Sequence, residues 1–251
     1  MVVLIACEES QTLCKAFREL GHEAYSADIL APSGGHPEWH IKGDVLGILS
    51  PKEDEFFHFK AIHFFTMNGD EHLINHWDLI IAHPPCTYLS SVNNRHMSLR
   101  INPPEKVEAR TKLMYEAADF FMNFVDADCD YIAVENPQGY MSRLYRKPDQ
   151  TIHPYQFADS VNDIENYHMK RTCLWLKGLP LLKTNNLPKP EPLKTYINIQ
   201  GKVKRRYFEE NHGVIAGQKH KGDDASARSK TFPGIAEAMA KQWSEYLKDK
   251  T

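Results

Sequence analysis

The feature that most constrains the fold is a short apolar run that ends at two consecutive prolines. The run of residues 79–82 has the length and the β-branched content that suit a strand buried on both faces of a sheet. Pro84 and Pro85 stop that strand, because proline can neither donate to a β-ladder nor continue a helix. Cys86 follows the stop, at the strand end where open α/β sheets bind their ligands. A buried, unreactive cysteine is the alternative interpretation.

Composition predicts an ordinary globular protein of a reducing compartment. The chain has 251 residues, 42% of them hydrophobic and 25% charged, which is enough for one sizeable core. The net charge is -3, so any nucleic-acid contact has to come from a local basic patch. We expect no signal peptide and no membrane contact, because no apolar stretch is long enough. Five scattered cysteines without a C-x-x-C pair favour the cytoplasm and argue against a zinc site.

The first residues of the chain predict a β-α-β unit of the kind that holds nucleotide-type cofactors. We expect strands over 2–6 and 23–28 and a helix over 12–20, with Asp28 at the end of the second strand. In such units the helix start faces the cofactor and the acid binds ribose hydroxyls. The loop of residues 7–11 contains Glu8 and Glu9 but no glycine, so it lacks the G-x-G-x-x-G pattern. Its carboxylates argue against a pyrophosphate ligand and favour a positively charged cofactor, while an ordinary loop acid is the alternative for Asp28.

Later patterns extend the alternation of strands and helices. We expect a surface loop over 30–43, a turn acid at Asp44, a helix over 105–124, strands over 131–134 and 170–176, and a closing helix over 233–247. Residues 51–76, rich in Phe and His, have no firm assignment. Glu135 follows the apolar run 131–134 and precedes Asn136 and Pro137, so a polar group and a proline stand at the end of this strand, as they do at Cys86. Two adjacent strand ends would therefore bring a thiol and a carboxyl group into one crevice, although Glu135 taken alone suits a helix or turn cap.

A change in composition after residue 176 predicts three regions. They are a core over 1–176, a small irregular basic lobe over 177–225, and a C-terminal segment over 226–251 whose helix returns to the core. Lysines and arginines of the lobe are candidates for contacts with nucleic-acid phosphates. These cations are Lys204, Arg205, Arg206, Lys219 and Lys221. A merely solvated basic loop is the alternative.

Taken in order, these motifs resemble those of the DNA cytosine-C5 methyltransferases, especially the short phage-type members. The turn 84–86 is similar to the family's Pro-Cys nucleophile loop, and residues 135–137 are similar to its Glu-Asn-Val element. Asp28 stands where the family's ribose-binding acid lies, and residues 43–45 match its Gly-Asp-Ile/Val on the adenine side. Arg171 stands where a later strand supplies arginines to the pocket. The chain departs from the family in its glycine-free first loop, in the histidine before the prolines, and in a lobe too short to read many base edges.

The resemblance implies an α/β, Rossmann-like S-adenosylmethionine-dependent methyltransferase fold, with a mostly parallel central sheet, helices on both faces and a small irregular basic lobe. It implies methylation of cytosine C5 in DNA, with short or relaxed specificity, through a covalent Cys86 adduct at C6 assisted by Glu135 and Arg171. The cofactor would be S-adenosyl-L-methionine. The implied cofactor-binding residues are Cys7, Glu8, Asp28, Ile29, Asp44, Val45 and Pro84. A monomer that binds DNA in the cytoplasm of a bacterial or phage-infected cell is expected, without a metal.

Three other interpretations fit parts of the sequence. A zinc cytidine deaminase would explain the H-x-E pattern at 36–38 and a P-C-x-x-C beginning at Pro85, but residue 89 is Leu, so the metal would lose a ligand. Amino-group methyltransferases share the cofactor fold, but we expect an aromatic residue after their Pro-Pro, where this chain has Cys86. A catalytically degenerate methylase that only binds DNA or a partner protein is the third, because the first loop is altered.

Overall fold

The computed structural model describes residues 1–53, 59–192, 194–198, 200–206 and 230–250. Its strands are β1 (Val2–Ala6), β2 (Glu23–Asp28), β3 (His40–Lys42), β4 (Lys52–Glu53), β5 (Lys60–Phe65), β6 (Glu71–Ile74), β7 (Leu79–Ala82), β8 (Ile132–Pro137), β9 (Gln150–Ile152), β10 (Thr172–Lys177), β11 (Lys194–Ile197) and β12 (Val203–Arg206). Its α-helices are α1 (Thr12–Glu19), α2 (Pro104–Val125), α3 (Met141–Leu144) and α4 (Pro233–Leu247).

A seven-stranded sheet in the order β3-β2-β1-β7-β8-β10-β9 forms the centre of the molecule. The five strands from β3 to β8 are parallel, and β10 lies antiparallel between β8 and β9. The prediction of an α/β protein with a mostly parallel central sheet is therefore confirmed. The winding direction reverses between β1 and β7, which end level because Ala6 is in register with Ala82. Such a reversal opens a crevice beyond the carboxyl ends of the two strands.

Helices cover both faces of this sheet, as predicted. Alternate residues of each inner strand face α2 on one side and the α1–α4 pair on the other, so both sets of side chains are buried. All four residues of β7 are fully buried, which explains their continuous apolar run. The predicted bounds of β1, β2, β7 and α4 are confirmed to the residue. The predicted α1 ends one residue early at Glu19, and α2 is one residue longer at each end.

Two segments contain strands that the sequence patterns did not predict. The expected surface loop over 30–43 includes β3, whose His40 is fully buried with Nδ1 2.9 Å from Ser26 Oγ and Nε2 2.9 Å from the Leu30 carbonyl oxygen. Hydrogen bonds rather than an apolar run hold this strand in place. The unassigned residues 51–76 include the antiparallel sheet β4-β5-β6, where Phe64 stacks on Trp77 with 5.4 Å between ring centroids.

The expected end of β8 before Glu135 is wrong. β8 continues to Pro137 because antiparallel β10 pairs with its far half, beyond the point where parallel β7 ends opposite Val134. Glu135 is therefore in register with Leu174, inside a ladder rather than past its end. The expected strand over 170–176 begins later, at Thr172.

The region after residue 176 includes the antiparallel hairpin β11–β12, and then α4, which packs against α1. Residues 207–229, and with them the candidate cations Lys219 and Lys221, lie outside the described residues. Within the described ranges, no helix has both the length and the apolar character that crossing a bilayer requires.

Candidate functional site at the carboxyl edge of the sheet

Segments from six neighbouring strands bring the predicted residues to one edge of the sheet. The loop 7–11 follows β1, Asp28 ends β2, Asp44 follows β3, and the turn 83–86 follows β7. Glu135 lies near the end of β8, and Arg171 immediately precedes antiparallel β10, whose first residue pairs with Pro137. This is the edge at which ligands of open α/β sheets bind.

The glycine-free first loop adopts a conformation that usually favours glycine. Cys7 and Gln11 have φ angles of 58° and 59°, both in the left-handed region. That conformation costs an L-residue about 1–2 kcal/mol, and such strain is often found at ligand sites. The side chain of Gln11 is fully buried and bonds the backbone of His36, with Nε2 2.8 Å from its oxygen and Oε1 3.0 Å from its nitrogen. Buried hydrogen bonds thus hold the turn without glycine.

Glu8 occupies the start of α1. Its carboxylate accepts hydrogen bonds from the backbone nitrogens of Leu13 at 2.6 Å and Cys14 at 3.2 Å. Burial raises the pKa of Glu8 to about 7, opposed by the nearby His83 and by these two backbone donors. The amides that would bind a phosphate at this helix start therefore already have an acceptor. This gives a physical reason for the expectation that the site does not take a pyrophosphate.

Three of the predicted cofactor-binding residues lie together beside the first loop. Burial raises the pKa of the Cys7 thiol to about 12, and the negative charges of Asp28 and Asp44 raise it further in the same direction. Each carboxylate uses Oδ1 in a local bond, Asp28 with the nitrogen of Leu30 at 2.9 Å and Asp44 with that of Leu46 at 3.0 Å. Of the other predicted residues here, Ile29 is 72% exposed and Val45 is buried.

Hydrogen bonds fix the turn after β7 at both of its ends. The backbone nitrogen of His83 bonds the Ala6 carbonyl oxygen at 2.9 Å, which extends the ladder between β7 and β1. The buried Nδ2 of Asn136 donates to the carbonyl oxygen of Pro84 at 2.8 Å, and the Cys86 carbonyl oxygen accepts from Ser90 nitrogen at 2.9 Å. Pro84 is buried, whereas Cys86 is exposed. The predicted proline turn past the end of β7 is present, and the alternative of a buried Cys86 is wrong.

Glu135 lies beside this turn. His83 Nδ1 lies 3.4 Å from Glu135 Oε2, and the two side chains are 8% and 23% exposed. Farther along the chain, the segment after the cysteine turn stays hydrogen-bonded to the segment after Glu135, because Tyr140 nitrogen donates to the Leu89 carbonyl oxygen at 2.7 Å. Gly139 is required at this contact, since a Cβ there would lie 1.8 Å from the same oxygen. The cysteine turn and the Glu135 segment thus run side by side.

Arg171 extends the site along the same edge. Its guanidinium donates to Gln138 Oε1. Arg171 lowers and Glu135 raises the pKa of the Cys173 thiol, although burial is the largest cause and the net shift is upward. Next to Gln138 lies a cavity of about 310 Å³. It is lined by Ser91, Asn94, Gln138, Gly139, Tyr140, Ser142 and Arg143.

Sequence patterns gave His83, Asn136 and Gln138 no role in the site, although these residues connect the predicted ones. The histidine before Pro-Pro and the asparagine after Glu135 were the available signals, but their partners are about fifty positions away in the chain. Among the predicted nucleic-acid contacts, Lys204 and Arg205 are exposed on β12, and Arg206 is the last residue of that strand.

The residues of the H-x-E pattern form a local pair. His36 Nδ1 lies 2.8 Å from Glu38 Oε1, and the His36 ring stacks on Trp39 with 3.7 Å between centroids. In the part of the chain that the structure describes, no three His, Cys, Asp or Glu side chains lie close enough together to hold a metal ion.

Comparison with known proteins adds no relative to this description. No model of a known protein family matches the chain, and no curated protein matches its sequence.

Proposed function

We propose that this chain transfers a methyl group from S-adenosyl-L-methionine to C5 of cytosine in DNA. The observation that carries the proposal is the placement of the Cys86 turn beside Glu135 at the edge where the winding of the sheet reverses. Asp28 and Asp44 lie at the ends of neighbouring strands on that edge. A nucleophile, a carboxyl group and a cofactor cleft are the three parts that this reaction needs.

The surroundings of the first loop fit this cofactor. S-adenosylmethionine has a positive sulfonium, an amino group and ribose hydroxyls, and it carries no phosphate. Glu8 already accepts from the α1 amides, so the cleft does not need a phosphate to satisfy them. Asp28 and Asp44 are suited to the ribose hydroxyls and the adenine side, and their charges favour a cation. When bound, the cofactor would supply an electrophilic methyl group. The Rossmann-like methyltransferase fold that we propose requires such a cleft beside a mostly parallel sheet.

The chemistry of the cytosine ring would fall to three side chains. The Cys86 thiolate adds to C6, because C5 is a poor nucleophile until the ring has an added electron pair. Glu135 bonds or protonates N3 of the ring, and Arg171 supplies positive charge on the same edge of the site. The exposed position of Cys86 means that a base turned out of the duplex can approach it, at a cost of a few kcal/mol for unstacking.

Contacts with the DNA backbone would come from a local basic surface, since the chain has a net charge of -3. The exposed cations Lys204 and Arg205 on β12 are the described candidates. Arg143, which lines the cavity next to Gln138, is a further candidate for contact with the flanking nucleotides.

The direct test is incubation of the purified protein with duplex DNA and S-adenosylmethionine labelled in the methyl group, followed by mass spectrometry of the nucleosides. We expect label in 5-methylcytosine, and none with Cys86→Ala. Label in an amino-methylated base would contradict the C5 assignment. DNA that shifts in gels without any transfer would instead support a protein that only binds DNA.

A further inference from the structure

Two carboxyl groups from different elements lie near His83, that of Glu135 in β8 and that of Glu8 in the first loop. His83 Nδ1 is 3.4 Å from Glu135 Oε2. Burial raises the pKa of Glu8, and the nearby His83 opposes that rise. The ring is 8% exposed. Catalytic hydrogen bonds are often long in unliganded enzymes and shorten when the substrate binds, so 3.4 Å suits such a contact.

The backbone around His83 leaves the ring little freedom. The His83 nitrogen is bonded to Ala6, and the next residue is a buried proline whose carbonyl oxygen accepts from Asn136. A residue that precedes proline is itself restricted to extended conformations. The direction of the imidazole is therefore determined by the ends of β1, β7 and β8 together.

The burial of the second ring nitrogen selects one tautomer. Nε2 is buried and has no hydrogen-bond partner among the described residues. A proton on Nε2 would leave a buried donor unpaired, at a cost of about 1–3 kcal/mol, and would turn the Nδ1 lone pair toward a carboxylate. The neutral ring should therefore carry its proton on Nδ1 and donate it to Glu135.

The charged and titratable groups around this contact come from three elements. Glu8 and Glu9 belong to the first loop, and Glu135 belongs to β8. Beyond Glu135, Arg171 and Cys173 lie at the start of β10, where Arg171 and Glu135 act on the thiol with opposite signs. His83 is thus the nitrogen donor that the described structure places directly against Glu135.

We infer that His83 is the positioning residue for Glu135. Its Nδ1–H holds the carboxyl group toward the pyrimidine and stabilises the carboxylate that remains after Glu135 has given a proton to the ring. The inference rests on the proposed function, and it assigns a role to the position at which this chain departs from the family's usual residues.

The proton balance of this role is closed. As the bond between sulfur and C6 forms, the proton leaves Glu135 for N3 and the ring nitrogen stays neutral. C5 would then accept the methyl group from the sulfonium, which would leave as a neutral thioether, and the hydrogen of C5 would leave as a proton to water. As the bond between sulfur and C6 breaks, the proton on N3 returns to Glu135. His83 keeps its own proton throughout, so its contribution is a charge-assisted hydrogen bond that is strongest when Glu135 is ionised.

Two substitutions separate a positioning role from a structural one. Asparagine places an amide donor near the position of Nδ1, whereas glutamine places it near Nε2. We expect His83→Gln to lower kcat about tenfold to a hundredfold, the value of one hydrogen bond to a charged group, with little change in KM for the cofactor. His83→Asn should recover most of that loss. The matched control is His63→Gln, because His63 pairs with Glu71 at 2.8 Å on the outer sheet, where both side chains are more than half exposed.

Nitrogen-15 NMR of the histidine rings provides a readout that needs no turnover. We expect the His83 ring in the Nδ1–H form in the wild-type protein, and a shift toward the Nε2–H form in Glu135→Gln. An Nε2–H ring in an active wild-type enzyme, or a kcat of His83→Gln within about twofold of wild type, would overturn the inference alone. A wild-type protein that methylates no DNA would overturn the proposed function, and the role of His83 in it, whatever the tautomer.

Discussion

Two cysteines follow neighbouring parallel strands of one sheet and lie in opposite surroundings. Cys7 comes after β1 and Cys86 comes four residues after β7, and these strands end level with each other. Cys7 is half-buried near two aspartates, and burial with their charges raises its pKa to about 12. Cys86 is exposed on the turn that follows the buried Pro84, and its carbonyl oxygen accepts a hydrogen bond from the nitrogen of Ser90. A strand end alone does not make a thiol reactive, because its neighbours determine how much thiolate is present.

The largest expected effect is at the exposed thiol. Cys86→Ala should lower methyl transfer by at least about a thousandfold, because the proposed reaction has no other route to activate C5. The thermal transition should hardly move, since exposed side chains contribute little to stability. Transfer assays together with thermal melting would test this. Turnover within tenfold of the wild type in a folded protein would remove Cys86 as the nucleophile.

Chemical labelling tests the contrast between the two thiols directly. A pKa of about 12 leaves Cys7 with a thiolate fraction at pH 8 about a thousandfold below that of an ordinary cysteine. Iodoacetamide should therefore modify Cys86 at least about a hundredfold faster than Cys7, as measured by peptide mass spectrometry over time. Faster labelling of Cys7 than of Cys86 would contradict the expected difference in thiol reactivity.

The free energy of unfolding should depend on pH through the buried Glu8. Its pKa rises on folding from 4.5 to about 7, so the folded state binds the proton more tightly. Stability from this group is fully present below the unfolded pKa and is lost as pH rises through the folded value, a change of about 3 kcal/mol for a shift of this size.

Glu8→Gln mimics the protonated form and should remove this dependence. Denaturant unfolding at pH 4 and pH 8 should show the variant gaining up to about 3 kcal/mol relative to the wild type at the higher pH. Glu105→Gln is the matched control, because Glu105 is an exposed acid in the first turn of α2. An equal difference at both pH values would contradict the assignment of a buried, proton-binding Glu8.

The smallest expected effect comes from a substitution that should change both the affinity for the cofactor and the reactivity of the Cys7 thiol. Asp44→Asn keeps the oxygen that accepts from Leu46 but removes the negative charge. We expect about tenfold weaker binding of S-adenosylmethionine by calorimetry, as for one lost charged hydrogen bond. Alkylation of Cys7 should become faster at the same time, because the charge of Asp44 raises its pKa. Asp70→Asn, in an exposed turn of the outer sheet, is the control, and unchanged cofactor affinity would count against the role of Asp44.

The elements that sequence patterns predicted well are those with two-sided apolar burial. β1 and β7 are continuous apolar runs, and α4 repeats its buried residues at helical spacing, so their bounds follow from local composition. β3 was missed because its buried residue is a histidine held by hydrogen bonds. The sheet β4-β5-β6 was missed because its Phe64 packs on Tyr25 and Trp77, which belong to other segments.

The site was predictable as a set of strand ends but not as a set of contacts. Cys86, Asp28 and Glu135 follow apolar runs, and their types point to a nucleophile and acids. That His83 lies against Glu135, and that Gln138 lies between Arg171 and the cavity, depends on contacts between segments that are far apart in the chain.

The amino-acid sequence by itself determined where the apolar strands and the long helices form, because the local periodicity of apolar side chains controls which faces of an element can be buried. Only the tertiary structure decided which strands became neighbours. The order of the sheet placed β8 beside β7, and antiparallel β10 extended it past Glu135, so that His83 met that carboxyl group. The physical reason is that strand register depends on packing between distant segments, which no local pattern contains.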